Sequence, residues 1–283
     1  MRTGINLLLW TPFVDEGHLP LMEQIKELGY DGVELPLGAG DLKHYEALGS
    51  RIKDLELVAN TCMAPEEKDN PASPDPAVRA RALLRLQDTV RMTTALGGHV
   101  LCGPLHSAFK VFSGKGPTAD EMRWSADVLA SAAEFAVDYG VQLNIEPLNR
   151  FECYLVNTVA DAAKIVDLAG HPNLGLHYDT HHMHIEEDSA SAAIARGADI
   201  LGHVHISEST RGIPGTGQVA WKDTFGALHD VGYDGWFTIE AFSRADPEFA
   251  AAIHIWRDFC DDPMTLARQG LAFMRDSWEQ ARR

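Results

Sequence analysis

The sequence predicts an α/β fold, a (β/α)8 TIM barrel, on three observations. Short apolar, strand-like runs alternate with helical patterns from one end to the other; eight such alternations predict a parallel sheet that closes on itself. A chain of 283 residues is long for an ordinary domain but normal for one barrel. Four consecutive runs end in a residue that carries chemistry rather than packing: Glu146, Asp179, His205 and Glu240.

The strands are expected over 5–10, 32–36, 55–60, 99–104, 142–146, 174–179, 202–207 and 237–241. Helices punctuate them. The pattern over 19–28 stops at Gly29, a C-cap residue. The one over 76–96 opens on Asp75-Pro76, an N-cap followed by a first-turn proline, and stops at Gly97-Gly98. Those over 118–139 and 158–168 stop at Gly140 and Gly170. The tail from Pro247 to Arg283 exceeds one helix, and Asp261-Asp262-Pro263 divides it in two. The longest irregular stretches, 64–74 and 107–117, follow strands, where barrels carry lids over their sites. No linker or low-complexity tract divides the chain, so one domain over 1–283 is expected.

Composition excludes several classes of function. A formal net charge of −17 opposes nucleic acid and anionic membrane alike. No segment reaches the run of about 18 to 20 apolar residues that a membrane helix needs. The apolar run near Met1 is too short for a signal peptide and lacks a small-residue cleavage site. The four scattered cysteines show no CxxC spacing and read as reduced thiols of a cytoplasmic protein.

Buried parallel strands normally read as continuous Val, Ile and Leu. Here side-chain alternation sends Asn144 with Glu146, His177 with Asp179, His203 with His205 and Ser207, and Thr238 with Glu240 to one side of their strands. One such strand could be a satisfied polar network; four in succession, ending in acid, acid, imidazole and acid, is no packing pattern. The intervals of 33, 26 and 35 residues each fit one strand-plus-helix unit. Consecutive strands of a barrel then aim three carboxylates and one imidazole at one point, a set that suits a hard divalent cation such as Mn²⁺ or Mg²⁺. The cluster His181, His182 and His184 lacks the spacing of a zinc site. The segment 211–217 has the glycines of a phosphate loop but no lysine, and reads better as a turn that places Arg211 over the site.

Beyond this point the residues resemble a known family. The motifs 146–152 (EPLNRFE), 179–183 (DTHHM), 205–211 (HISESTR), 214–217 (PGTG) and 239–243 (IEAFS) are similar to those of the D-tagatose 3-epimerase group, which includes D-allulose (psicose) and L-ribulose 3-epimerases within the xylose isomerase-like barrels. The resemblance covers essentially the whole chain. It implies an isomerase with one divalent ion, Mn²⁺ first and Mg²⁺ or Co²⁺ next, held by Glu146, Asp179, His205 and Glu240. It makes Glu146 and Glu240 the acid–base pair and gives Glu152, His182 and Arg211 the O1–O3 end of a free ketose. Cys62 falls where a sugar-tail contact is expected, and Phe109 or Phe112 where an aromatic lid residue is. Glu34 resembles an acid that orients a neighbour. A homodimer or homotetramer is implied as well.

The chemistry agrees. The C3 hydrogen of a ketose is acidified by the C2 carbonyl, and its removal gives an enediolate whose charge a divalent ion stabilises. Epimerisation takes a proton from one face and returns one to the other, work for two carboxylates flanking the sugar. No organic cofactor is required and no dinucleotide fingerprint is present. The alternative is an aldose–ketose or hydroxypyruvate-type isomerase, which would use the same metal but move the proton between C1 and C2. A DNA-repair endonuclease would need more histidine ligands and a basic groove; a sugar-binding barrel without turnover would not need paired acids.

Overall fold

The computed structural model describes residues 1–283, and its eight strands close in sequence order into a parallel barrel. The strands are β1 (Arg2–Asn6), β2 (Gly32–Pro36), β3 (Val58–Cys62), β4 (Val100–Gly103), β5 (Gln142–Ile145), β6 (Leu174–Asp179), β7 (Leu201–Ile206) and β8 (Trp236–Ile239), with β8 pairing back onto β1. The helices are α1 (Leu19–Leu28), α2 (Leu42–Asp54), α3 (Pro76–Ala95), α4 (Ala119–Val137), α5 (Val159–Ala169), α6 (Thr180–Glu186), α7 (Ala190–Gly197), α8 (Trp221–Asp230), α9 (Pro247–Ala252) and α10 (Pro263–Ala281). No helix is long and apolar enough to cross a membrane.

Strand alternation produces two unlike interiors. Ile5, Val33, Leu35, Leu143, Val204 and Ile239 belong to a core of 60 buried residues between sheet and helices. Each such side chain contributes about 1.5–3 kcal/mol on burial, so this layer holds the fold together. The opposite faces point into the barrel. There only Cys62, Val100, Cys102 and Trp236 make an apolar cluster. The remainder is polar and buried: Asn6, Glu34, Asn60, Asn144, His177, His203 and Thr238. Register sets this layer side by side, with Asn6 opposite Glu34, Glu34 opposite Asn60, and His177 opposite His203.

Helix ends follow local chemistry. Asp75 caps α3 through Ala77 N–H, and Thr118 and Glu121 cap α4 reciprocally. Asp262 caps α10, at the break expected in the tail. Helix α10 returns to the start of the barrel, where Ala267 O accepts from the Tyr30 hydroxyl at 2.7 Å.

Three expectations need correction. β1 ends at Asn6 instead of running over 5–10, because the Asn6 side chain accepts Leu8 N–H at 2.9 Å and starts a 3-10 turn over Leu7–Leu9. β3 begins at Val58, not 55, because Leu55 still caps α2 and Glu56 sits at φ 54°. The sequence reading marks no helix between the second and third strands, yet α2 forms there on an Asp41 cap.

Trp236 plugs the N-terminal end of the barrel, and Gly32 makes room for it. A Cβ at Gly32 would lie 2.5 Å from the Val58 carbonyl oxygen and 2.8 Å from the Trp236 ring. Gly32→Ala is expected to cost about 1–3 kcal/mol through overpacking. Urea unfolding checks this, and an unchanged midpoint would refute the steric account.

Candidate active site

Glu146, Asp179, His205 and Glu240 stand at the C-terminal ends of β5, β6, β7 and β8, where barrel chemistry sits. One ligating atom from each lies within 4.8 Å of all the others, and all four residues are buried. Glu34 fixes the imidazole. His205 Nε2 is 2.7 Å from Glu34 Oε1. With Nε2–H donating to Glu34, Nδ1 is the nitrogen turned to the acids, 3.6 Å from Asp179 Oδ2 and 3.5 Å from Glu240 Oε1, and it offers a lone pair to a cation once its proton is displaced.

Arg211 answers the acids. Its Nη1 donates to Asp179 Oδ2 at 3.1 Å, to Glu240 Oε2 at 2.6 Å and to Ser207 Oγ at 2.8 Å. Nη2 lies 2.9 Å from His182 Nε2, while Asn149 N–H donates to His182 Nδ1. Asn149 Nδ2 also donates to Glu152 Oε2 at 3.0 Å, drawing Glu152 to the same edge.

The environments push the acids apart. Burial, then the charges of Glu240 and Asp179, raise Glu146 well above the usual carboxylate range. Burial acts to raise Asp179 too, but Arg211, His182 and His205 outweigh it and hold Asp179 well below that range. Burial disfavours a charged His205, yet Glu34 and Glu240 raise it well above an ordinary histidine. A carboxylate pair split in this way in a cleft is a mark of acid–base chemistry.

The donor set fits a divalent cation. Glu146 Oε1 and His205 Nδ1 are buried without a hydrogen-bond partner. Three carboxylates and one imidazole suit Mn²⁺, Mg²⁺ or Co²⁺ better than a structural zinc.

Above the acids lies a cavity of about 270 Å³. Its inner end carries Glu146, Glu152, His182, His205, Arg211 and Glu240. Its outer walls are Leu8, Leu37, Met63, Phe109, Phe249 and Ile253. Cys62 lies on the cavity, its sulfur 3.4 Å from Asn6 Nδ2. Of the two lid aromatics, Phe109 lines the cavity, whereas Phe112 is exposed and stands beside Tyr154.

Sequence reasoning missed several contributors. Phe249 and Ile253 come from α9 and its end, which fold over the mouth; the Asp246-Pro247 helix start was the available signal. His106 is buried and holds the end of β5 through the Glu146 carbonyl oxygen at 2.9 Å. Burial lowers its pKa to about 4, so it stays neutral. Glu208 explains the glycine-rich loop. Its carboxylate accepts from the backbone N–H groups of Ser209, Gly215, Gln218 and Val219 and from Trp221 Nε1. The loop does cradle an anion, but that anion is the protein's own side chain.

The chain matches the family model of the xylose isomerase-like TIM barrel over residues 22–277. It is 38% identical to an L-ribulose 3-epimerase of Mesorhizobium japonicum, over 100% of this chain and 96% of that one. It belongs to the ketose 3-epimerase family. A ketose 3-epimerase of Arthrobacter globiformis is 33% identical over 98% of this chain and 96% of its own. A solved L-ribulose 3-epimerase superposes with a TM-score of 0.92 at 34% identity, covering 99% of this chain and 95% of that one. Membership of the ketose 3-epimerases makes this protein an isomerase.

Glu208 generates a prediction about the Arg211 loop. Burial works to raise its pKa, but the N–H groups of Ser209, Trp221 and Val219 prevail and lower it below the ordinary 4.5. It therefore stabilises the folded chain above that value and loses its contribution as pH falls through the lower, folded value. Glu208→Gln replaces one acceptor oxygen with a donor and should cost about 2–4 kcal/mol at neutral pH. Limited proteolysis should cut within 209–219 in this variant first; a wild-type cleavage pattern and melting temperature would refute the cage.

Proposed function

We propose that this protein epimerises free ketoses at C3, with Glu146 and Glu240 as the acid–base pair and one divalent cation, Mn²⁺ first, held by Glu146, Asp179, His205 and Glu240. The observation that carries the reading is the convergence of two buried glutamates, from strands three places apart around the barrel, at the polar end of an otherwise apolar cavity. Family membership supports the reaction class.

When bound, the cation supplies Lewis acidity toward the ketose oxygens and stabilises the charge left by deprotonation. The residues do the rest. In one direction Glu146 as carboxylate takes the C3 proton from one face, and Glu240 as carboxylic acid gives a proton to the other face. Each ends in the opposite protonation state, and the reverse reaction exchanges their roles. Arg211 and His182 hold substrate oxygens, with Glu152 beside them to accept a hydroxyl hydrogen. Leu8, Met63 and Phe249 face the sugar's far end and shed water from the site. Nothing on those walls would pair a phosphate, and Glu208 occupies the glycine loop, so the unphosphorylated sugar is the substrate class.

Product analysis tests this directly. D-Tagatose, D-fructose or L-ribulose should give the C3-epimeric ketose and no aldose. Chelation should abolish turnover and Mn²⁺ restore it. Full activity in protein shown to be metal-free by elemental analysis would sink the metal assignment, and faster turnover of ketose phosphates would sink the substrate class.

Glu146→Gln and Glu240→Gln should each lower kcat by about 10²–10⁴-fold, the usual worth of a general acid or base. Metal content must be measured in each variant, since both glutamates are also assigned to the cation. A fully loaded variant with wild-type kcat would remove that glutamate from the proton-transfer role.

A further inference from the structure

Arg211 tethers Asp179 and Glu240, but Glu146 is held differently. Its carboxyl oxygens lie 3.5 Å from His182 Nε2 and 3.6 Å from His177 Nδ1, too far for good hydrogen bonds, and Oε1 is buried without a partner. The aim of this carboxyl is therefore set by its backbone. β5 stops at Ile145, one residue short of Glu146. Pro147 follows and confines Glu146 to the extended region, but supplies no N–H to continue the strand. Asp179 and His205, by contrast, lie within β6 and β7.

The neighbouring strand does half of the holding. The register pairs Gly103 of β4 with Ile145, so its continuation sets Pro104 opposite Glu146. A parallel ladder then calls for Glu146 N–H to donate to Gly103 O, which it does at 2.9 Å, and for Leu105 N–H to donate to the Glu146 carbonyl. Leu105 N–H instead turns back to Gly103 O at 2.7 Å. His106 supplies the missing donor, with Nε2 at 2.9 Å from the Glu146 carbonyl oxygen. A carbonyl only accepts, so Nε2 carries the proton and Nδ1 accepts from the Ser107 hydroxyl, 2.9 Å away. Ser125 of α4 donates to the His106 carbonyl oxygen at 2.7 Å, and all three residues are buried.

We propose that His106, its tautomer fixed by Ser107, is a positioning residue of the epimerisation: it acts through the Glu146 backbone to aim that carboxyl at the C3 hydrogen. The inference rests on the acid–base role of Glu146. The imidazole lets the chain leave the sheet at Pro147, and so carry Glu152 to the rim of the cavity, while Glu146 stays bound at both its N–H and its carbonyl. A misplacement of about 1 Å at a reacting group can slow a reaction about 10²-fold without weakening substrate binding.

Steady-state kinetics of the full chain on a free ketose test the proposal. His106→Phe keeps a ring and removes the donor; its kcat should fall about 10–100-fold while KM and metal content stay at the wild-type level. His106→Gln, whose side-chain amide can donate to the same carbonyl, should recover most of kcat. Added to Glu146→Gln, His106→Phe should slow the enzyme no further, because both changes act on one proton transfer. Should His106→Phe not fold, Ser107→Ala carries the test, with a lower kcat at unchanged KM. A wild-type kcat in His106→Phe or Ser107→Ala, a loss that falls on KM, a Gln variant as slow as the Phe variant, or additive losses in the double variant would each overturn the proposal. A slow Glu146→Gln beside a fast His106→Phe strikes this inference alone, whereas wild-type turnover in metal-loaded Glu146→Gln removes the acid–base reading and this inference with it.

Discussion

Arg211 Nη1 stands 3.1 Å from Asp179 Oδ2 and 2.6 Å from Glu240 Oε2, and the site depends on that contact. Three carboxylates drawn to one dry point repel one another, and such a group cannot stay ionised without compensating charge. Here the guanidinium holds Asp179 ionised while Glu146, farther from it, is driven toward its neutral form. Arg211 itself sits at φ 62°, in the left-handed region that favours glycine. Its loop can hold that conformation because Glu208 gathers the amides of 209–219 around one carboxylate. A buried anion in the loop thus positions the cation that steadies the acids.

The barrel makes this arrangement affordable by separating stability from chemistry. Strand faces toward the helices carry the large apolar core, while the faces toward the axis carry Asn, Glu, His and Thr. Parallel pairing in strict sequence order puts β5 to β8 side by side, so four strand ends converge without any long-range loop closing on them. The polar axis is the costly half of the design. Asn60, Asn144, His177 and Thr238 all carry buried atoms without partners, a burden the outer core must offset.

The tetrad was legible because period-two alternation is a local signal: acid or imidazole at the end of an apolar run marks itself. Its partners were legible in part, since Arg211 and His182 lie within a few residues of His205 and Asp179. The Glu208 cage was not, because nothing in the motif around a loop glutamate shows that amides up to eleven residues later turn back upon it. The walls built by Phe249 and Ile253 were hidden for a similar reason: α9 reads as an ordinary tail helix until the fold lays it across the mouth. The early end of β1 turned on one hydrogen bond from Leu8 N–H to Asn6, which hydrophobic periodicity does not see.

Two buried glutamates that share one cavity end, on strands three places apart, are suited to taking a proton from one face of a carbon and returning one to the other. The most direct test is isotopic. With D-tagatose or D-fructose in D₂O, the epimeric product should carry solvent deuterium at C3 and none at C1, because the acid that reprotonates C3 exchanges with solvent. Deuterium at C1 together with an aldose product would contradict the account and assign the site to aldose–ketose isomerisation.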